Sequence, residues 1–181
     1  MEDLRKQKQN QWITTVGNTS LWTINMNKQD LFNEVSTRSL YIVGNNPKVE
    51  VKSDNLAIMD DDRNLYDRYA EVAIQDLLVL LARRIPQSRS EYASLFGWKE
   101  GDMEDVVVND ETMLEFSLVM GENHDRNLLN ALVNACKEYL VCRILSQWFS
   151  SDFGVLEQER RIVHILQYRR KSPARRVRPL L

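Results

Sequence analysis

The sequence predicts a mainly α-helical fold, a bundle centred on three helices with a small β-hairpin or strand element and extended arms at both ends. Three segments carry apolar residues at three- and four-residue spacings, which is typical of amphipathic helices: 60–85, 124–149 and 155–170. The chain has 181 residues and 43% of them are hydrophobic, enough for one full core. We expect an N-terminal arm with a small α/β extension at 1–59, a helical core domain at 60–167, and a basic C-terminal arm at 168–181.

The N-terminal 59 residues are predicted to hold short elements. The segment NKQDLFNEVSTRSLYIVG predicts a short helix capped by Asn27, followed by a strand that ends at Gly44. The alternating segment KVEVKSDNLAIM predicts a short hairpin from Val49 to Met59. Trp12 lies in the polar stretch KQKQNQWITT, where it either anchors in a pocket of another chain or packs as a lid on its own domain.

The first long helix is predicted from the segment DDDRNLYDRYAEVAIQDLLVLLARRI, residues 60–85. Three aspartates stand at its start, where carboxylates cap free N–H groups and suit the positive end of the helix dipole. Arg83 and Arg84 stand at its end, and Pro86 stops it. We expect its inward stripe to consist of Leu65, Tyr69, Val72, Ala73, Leu77, Leu80 and Leu81.

A central helix is predicted from about Asn123 to Phe149, after a strand with the alternating sequence MLEFSLVM at 113–120. Apolar residues cover more than half of the circumference of this helix, so several neighbours must cover it. Cys136 and Cys142 lie six residues apart on it and point to different sides, so we expect free core thiols.

The third helix, VLEQERRIVHILQYRR, should turn Ile162, Val163 and Leu166 inward. Ser151 or Asp152 would cap its start. No stretch approaches the ~20 apolar residues of a membrane helix, and the N-terminus lacks the apolar part of a signal peptide. We therefore expect a soluble protein made in a cytoplasm.

The sequence favours no catalytic, metal or cofactor site. Its six glycines form no phosphate-binding loop, and its two histidines and two cysteines supply no chelating pair for zinc. The carboxylates of Asp60, Asp61 and Asp62 could bind a hard cation, but their place at a helix start favours capping. We expect a protein that is not an enzyme and needs no cofactor.

The C-terminal segment YRRKSPARRVRPLL, residues 168–181, has six cationic side chains and no acidic one. The net charge of −2 therefore divides into −8 for residues 1–167 and +6 for this segment. Three interpretations stay open: a solvated chain end, a segment that binds nucleic-acid phosphates, or one that docks on an acidic protein surface. Two prolines and the terminal leucines favour docking. The predicted partner-binding residues are Arg169, Arg170, Lys171, Arg175, Arg176, Arg178, Leu180, Leu181 and Trp12.

Over roughly residues 60–181 the two long helical segments and the basic arm resemble the head-to-tail connector, or adaptor ring, proteins of tailed bacteriophages. In that family an aspartate-led first helix and a longer central helix form a small bundle, and a C-terminal arm reaches from each subunit onto the portal. The resemblance implies a virion protein of the phage neck that is assembled in the bacterial host cytoplasm. It implies a homo-oligomeric, twelvefold ring that joins portal to tail, through which genomic DNA passes without sequence-specific binding.

An acidic body suits such a channel, because a basic lumen would hold the phosphates of the passing DNA. Residues 1–59 have no counterpart in the short members of the family, so the chain either contacts the portal directly or belongs to a later ring. One rival hypothesis is a nucleic-acid-binding accessory protein that uses the basic arm on phosphates. A second rival, a small hydrolase with a carboxylate pair among Asp60, Asp61 and Asp62, has little support in the sequence.

Overall fold

The structure is a computed structural model that describes residues 11–16, 19–45, 57–86, 107–121 and 124–168. Within those ranges the chain forms four α-helices and a four-stranded antiparallel sheet, and helices make up most of it. The predicted mainly α class is confirmed. The arms predicted before residue 11 and after residue 168 lie outside the described residues.

The sheet consists of β1 (Gln11–Val16), β2 (Thr19–Asn27), β3 (Val107–Asn109) and β4 (Met113–Gly121), in the order β1-β2-β4-β3. The β1–β2 hairpin was not predicted. The long pair β2–β4 runs from Thr19 opposite Gly121 to Asn27 opposite Met113. Alternate residues of β4 are buried, as its sequence predicted, and they face the helices: Leu114, Phe116, Leu118 and Met120.

Helix α1 (Lys28–Asn45) follows β2 directly. Asn27 caps it as predicted, because its Oδ1 accepts the N–H groups of Gln29 at 2.8 Å and Asp30 at 3.1 Å. The strand predicted to end at Gly44 is wrong, since the helix continues to Asn45.

Two serines bind this second half of α1 to the chain before the next helix. Ser39 is buried and its hydroxyl accepts the N–H of Ile58 at 2.8 Å, while Ser36 donates to the Ile58 carbonyl at 2.7 Å. These tertiary contacts outweigh the strand propensity of the local sequence. Most of the hairpin predicted for Val49–Met59 lies outside the described residues, and its last three residues, 57–59, form no strand.

Helix α2 (Arg63–Leu81) begins after a 3₁₀ turn, Asp60–Asp62, and a turn at 82–85 separates it from Pro86. Of the three aspartates, Asp62 accepts the N–H of Met59, which precedes the 3₁₀ turn, at 3.0 Å. Its side chain makes no cap hydrogen bond to α2, so the predicted capping of the N–H groups of this helix is not found among the described residues. The predicted inward stripe is wrong at Leu65 and Val72, which are 43% and 46% exposed. The residues that α2 buries are Tyr66, Ala70, Ala73, Ile74, Leu77 and Leu81.

Helix α3 (Leu129–Phe149) is the central element and packs against α1, α2, α4 and the sheet. It starts later than predicted, after a 3₁₀ turn at Arg126–Leu128 in which Asp125 accepts the N–H of Asn127. The predicted cap, Asn123, lies outside the described residues. Cys136 and Cys142 are buried and free, as predicted.

Helix α4 (Val155–Gln167) completes the described chain and buries Ile162, Ile165 and Leu166. Gly154 occupies its N-cap with a φ of 81°, in the left-handed region that glycine tolerates. Neither Ser151 nor Asp152 caps the helix; Asp152 instead accepts the N–H of Gly154 at 2.8 Å.

One hydrophobic core includes residues of all four helices, β2 and β4. The described residues on both sides of the predicted boundary at 59/60 contribute to it, and the division into domains stays a prediction. Among the described helices, none combines the length and the apolar character needed to cross a membrane.

Candidate functional site

Most of the predicted partner-binding residues lie outside the described part of the chain. This applies to Arg169, Arg170, Lys171, Arg175, Arg176, Arg178, Leu180 and Leu181. Trp12 belongs to β1, where its backbone lies opposite Thr23 of β2, and its side chain lies outside what the structure describes. The partner-binding role of these residues stays a prediction. Two described regions bear on it: the end of α4, which the basic segment follows in sequence, and an acidic cleft.

The basic segment starts from a helix end that is bound to the core. The carbonyl oxygen of Leu166, in the last turn of α4, lies 2.9 Å from Nε2 of His124. It also accepts a hydrogen bond of 3.3 Å from the guanidinium of Arg84, which follows α2. The last turn of α4 is therefore held by two other parts of the chain, and Tyr168 follows it in an extended conformation with 47% exposure.

His124 is a structural residue at this helix end. It is buried, and its Nδ1 lies 3.2 Å from the carbonyl oxygen of Gly121, while the edge of its ring meets Trp22 at a centroid distance of 6.4 Å. Both ring nitrogens thus face carbonyl oxygens, and a neutral imidazole donates to one of them at a time. The residue connects the end of β4 with the end of α4.

The acidic cleft has a volume of about 410 Å³ and lies between the start of α1, the N-terminal half of α2 and the β3–β4 turn. Its charged lining residues are Asp67, Glu71, Asp110, Glu111, Lys28 and Arg63. With four carboxylates and two cations, this lining has a formal charge of −2. The cleft has no signal in the sequence, because its residues come from three distant segments that carry no motif.

Hydrogen bonds lower the pKa values of two carboxylates in the cleft and keep them negatively charged. Asp110 accepts the N–H and the hydroxyl of Thr112 and the N–H of Met113, all at 2.8–2.9 Å, and these bonds hold its pKa below the ordinary value. Glu71 accepts the side-chain amides of Gln75 and Asn109, which lower its pKa in the same way. Both groups therefore remain ionised at neutral pH.

One aromatic residue, Tyr66, lines the cleft. Tyr66 is buried and packs edge-on against Phe32 at a centroid distance of 4.8 Å. The guanidinium of Arg63 lies 4.2 Å from the centre of the Phe32 ring and donates to Asp67 and Gln29. The Tyr66 hydroxyl has no hydrogen-bond partner within the described ranges, and burial raises its pKa, so it stays neutral.

The described residues offer no group of three or more histidine, cysteine, aspartate or glutamate side chains that could hold a metal ion. The lining of the acidic cleft forms a negatively charged surface with amide and aromatic neighbours. Such a surface suits a guanidinium or ammonium group better than a phosphate.

Comparison with family models, with curated proteins and with solved structures found no match for this chain. The resemblance to phage connector proteins therefore rests on the sequence pattern alone.

Proposed function

We propose that this protein is a non-enzymatic structural subunit whose basic C-terminal segment docks on an acidic surface of a neighbouring protein. In the specific form of the proposal, the subunit forms a homo-oligomeric, twelvefold ring in the neck of a tailed bacteriophage and joins portal to tail. Helices α2, α3 and α4 then form the three-helix-centred bundle, in which α2 and α3 correspond to the aspartate-led first helix and the central helix of the connector family. Assembly takes place in the host cytoplasm, and genomic DNA passes through the ring.

The observation that carries the proposal is the division of charge. Residues 1–167 have a net charge of −8, and the six cations of 169–178 follow directly after the bound end of α4. A cationic segment that starts from a fixed point loses less entropy on docking than one that starts from a flexible domain. Arginine, which supplies five of the six cations, forms paired hydrogen bonds with carboxylates.

The acidic cleft supports the choice of a protein as the docking partner. It is an acidic, partly aromatic surface on a described part of the chain, and a neighbouring copy or a related ring protein with such a surface could receive an arginine side chain. The portal or an adjacent ring remains the proposed acceptor in the neck.

The proposal is tested with a chain truncated after Tyr168, and with a full-length control in which Arg175, Arg176 and Arg178 are replaced by glutamine. The truncated chain should keep the melting temperature of the wild type, because the bound end of α4 is retained. It should fail to join portal rings or neck complexes purified from the phage that encodes it, as judged by co-sedimentation. The glutamine variant keeps the length of the segment and should bind much more weakly. Normal joining by both variants would refute the docking role.

Nucleic-acid binding, the rival function, has its own measurement. A segment that uses six cations on duplex DNA should lose affinity with a log–log salt slope of about −5. We expect no binding of the full-length chain to a short fluorescent duplex at low salt, because the rest of the chain is strongly acidic. Binding with that slope, removed by the truncation, would replace the docking proposal.

A further inference from the structure

Helix α2 carries a line of exposed apolar residues that does not belong to the core. Leu65, Val72 and Val79 are 43%, 46% and 74% exposed, and each follows the last by seven residues. Seven residues are close to two helical turns, so the three side chains lie along one face. The core side of α2 is formed by other residues, among them Ala73 and Leu77.

Charged residues extend the same line in a regular order. Arg68 and Asp76 lie four residues before and after Val72, while Asp61 and Arg83 lie eleven residues before and after it. Arg68 and Asp76 fall within about 40° of Val72 around the helix axis. Asp61 lies in the 3₁₀ turn before α2 and Arg83 in the turn after it, so these two residues flank the helix at its ends. We call the seven residues Asp61, Leu65, Arg68, Val72, Asp76, Val79 and Arg83 the α2 stripe.

Three of the four charges of the α2 stripe have no side-chain partner among the described residues. The side chains of Asp61, Arg68 and Arg83 form no hydrogen bond or ion pair with any described residue, and all three residues are exposed. Asp76 is engaged at one side, where Arg143 of α3 approaches it at 2.8 and 2.9 Å. Arg68 and Asp76 carry opposite signs, and so do Asp61 and Arg83, each pair being symmetric about Val72.

We propose that the α2 stripe binds a second copy of this chain, with the two α2 helices antiparallel and related by a two-fold axis at Val72. In that arrangement Val72 meets its own counterpart and Leu65 meets Val79. Arg68 then faces Asp76 of the other copy, and the terminal pair Asp61 and Arg83 also meet. The three apolar residues of each copy leave water, and every charge on the line faces one of the opposite sign.

The charge order decides the direction of the pairing. A parallel pair in the same register would place Asp61 on Asp61 and Arg68 on Arg68, which costs free energy at each contact. The antiparallel pair turns the same four charges into favourable contacts on both sides of the axis. The interface is isologous, meaning that one surface of the chain is complementary to itself.

The apolar part of the α2 stripe, from Leu65 to Val79, is about 21 Å long. With three apolar side chains from each copy, it is smaller than the interface of a permanent dimer, so we expect a concentration-dependent dimer. The contact goes beyond the proposed function, because a ring is closed by contacts around another axis. A ring that also used the α2 stripe would pair with a second ring back to back.

The position of the axis is tested by cross-linking with a short bis-maleimide. A cysteine introduced by Val72→Cys lies beside its counterpart in the dimer, and full-length chain should give a covalent dimer. The matched control is Leu156→Cys on α4, which is 56% exposed and lies outside the α2 stripe. We expect position 72 to cross-link about tenfold faster than position 156, because the contact raises the local thiol concentration. The native thiols of Cys136 and Cys142 are buried and should react slowly.

Charge reversal tests the direction of the helices. Asp61→Arg and Arg83→Asp should each raise the dimer dissociation constant about tenfold in low salt, since two symmetric contacts change sign together. The double variant restores opposite charges and should return to within about twofold of the wild type. Sedimentation velocity over a concentration series measures all four chains.

A wild type that stays monomeric at all concentrations would overturn the proposal. So would equal cross-linking at positions 72 and 156, or a double variant that dimerises no better than the two single variants. The truncation after Tyr168 should leave this dimer intact, and the α2 variants should leave arm docking intact. Failure of one inference is therefore distinguishable from failure of the other.

Discussion

The ion pair between α1 and α3 should make the stability of the protein depend on pH, and Glu138→Gln tests this. Arg38 donates from its two terminal nitrogens to the two carboxylate oxygens of Glu138, at 2.5 and 2.8 Å, and from Nε to Glu34 at 2.8 Å. The hydrogen bonds from Arg38 hold the pKa of Glu138 below its ordinary value, against the opposing effect of burial. The same contacts raise the pKa of Arg38, which is charged at every accessible pH.

The size of the expected stability loss depends on how exposed the ion pair between Arg38 and Glu138 is. The side chains of Arg38 and Glu138 are 38% and 32% exposed, so solvent screens part of the interaction. Exposed pairs contribute about 0.2–1 kcal/mol, and hydrogen bonds to charged groups contribute about 1.5–3 kcal/mol where they are shielded. For this forked, partly exposed pair we expect Glu138→Gln to lower the free energy of unfolding by about 1 kcal/mol at neutral pH.

The direction of the pH dependence follows from the lower pKa of Glu138 in the folded chain. Its stabilising effect is fully present above the pKa of the unfolded chain, about 4.3, and is lost as the pH falls through the lower folded value. The difference in unfolding free energy between wild type and Glu138→Gln should therefore be constant near neutral pH. It should shrink as the pH falls below the pKa of the unfolded chain and through the lower pKa of the folded chain.

Urea denaturation at neutral and acidic pH measures this difference, and a double-mutant cycle with Arg38→Met isolates the pair. Glu111→Gln is the control, because Glu111 is exposed and forms no ion pair within the described residues. It should change the free energy of unfolding by less than about 0.5 kcal/mol. An equal effect of Glu138→Gln at both pH values, or a coupling energy near zero, would refute the reasoning.

Three further substitutions test the packing around the described sites. Tyr66→Phe removes a buried hydroxyl without a hydrogen-bond partner in the described structure, and it should leave stability unchanged or raise it by up to about 1 kcal/mol in urea denaturation. His124→Ala leaves the carbonyls of Gly121 and Leu166 with fewer partners and should cost about 1–3 kcal/mol, with faster amide exchange in the last turn of α4. Leu77→Ala opens a cavity in the core and should lower the free energy of unfolding by about 2–5 kcal/mol; a loss below 1 kcal/mol in this variant would contradict its placement.

The periodic spacing of apolar residues identified those helices and strands in which buried positions recur regularly along the chain. Helices α2, α3 and α4 and strand β4 were predicted, since the apolar residues of each recur at a regular spacing over many positions. The cap at Asn27 was also predicted, because capping depends on a few adjacent atoms.

The errors concern contacts between distant segments. The second half of α1 has the β-branched and aromatic residues of a strand, and its helical state depends on Ser36 and Ser39 binding Ile58. The β1–β2 hairpin does have a sequence signal. The dipeptide Gly17-Asn18 is typical of a two-residue turn, and it separates two stretches whose residues favour strands. The acidic cleft had no comparable signal, because three separate segments meet there.

The face of α2 was misjudged because the helix has apolar residues on two sides. Periodicity gives the spacing of an apolar face, and it does not say which of two faces the core takes. Leu65 and Val72 were predicted to point inward, and their exposure is what draws attention to the α2 stripe. A helix with two apolar faces is expected where the core covers one face and a binding partner covers the other.

The two proposed contacts should differ in how strongly their affinities depend on salt concentration. Docking of the basic segment brings six cations to an acidic surface, so its strength should fall steeply as salt is raised. The α2 stripe combines apolar burial with charge pairs of both signs, and its dimer should weaken only modestly over the same range. Wild-type chain in rising salt should therefore lose arm-dependent assembly first and keep the dimer, as measured by sedimentation velocity. Loss of both at the same salt concentration would mean that one electrostatic contact accounts for the whole assembly, and the α2 stripe would then have no part in it.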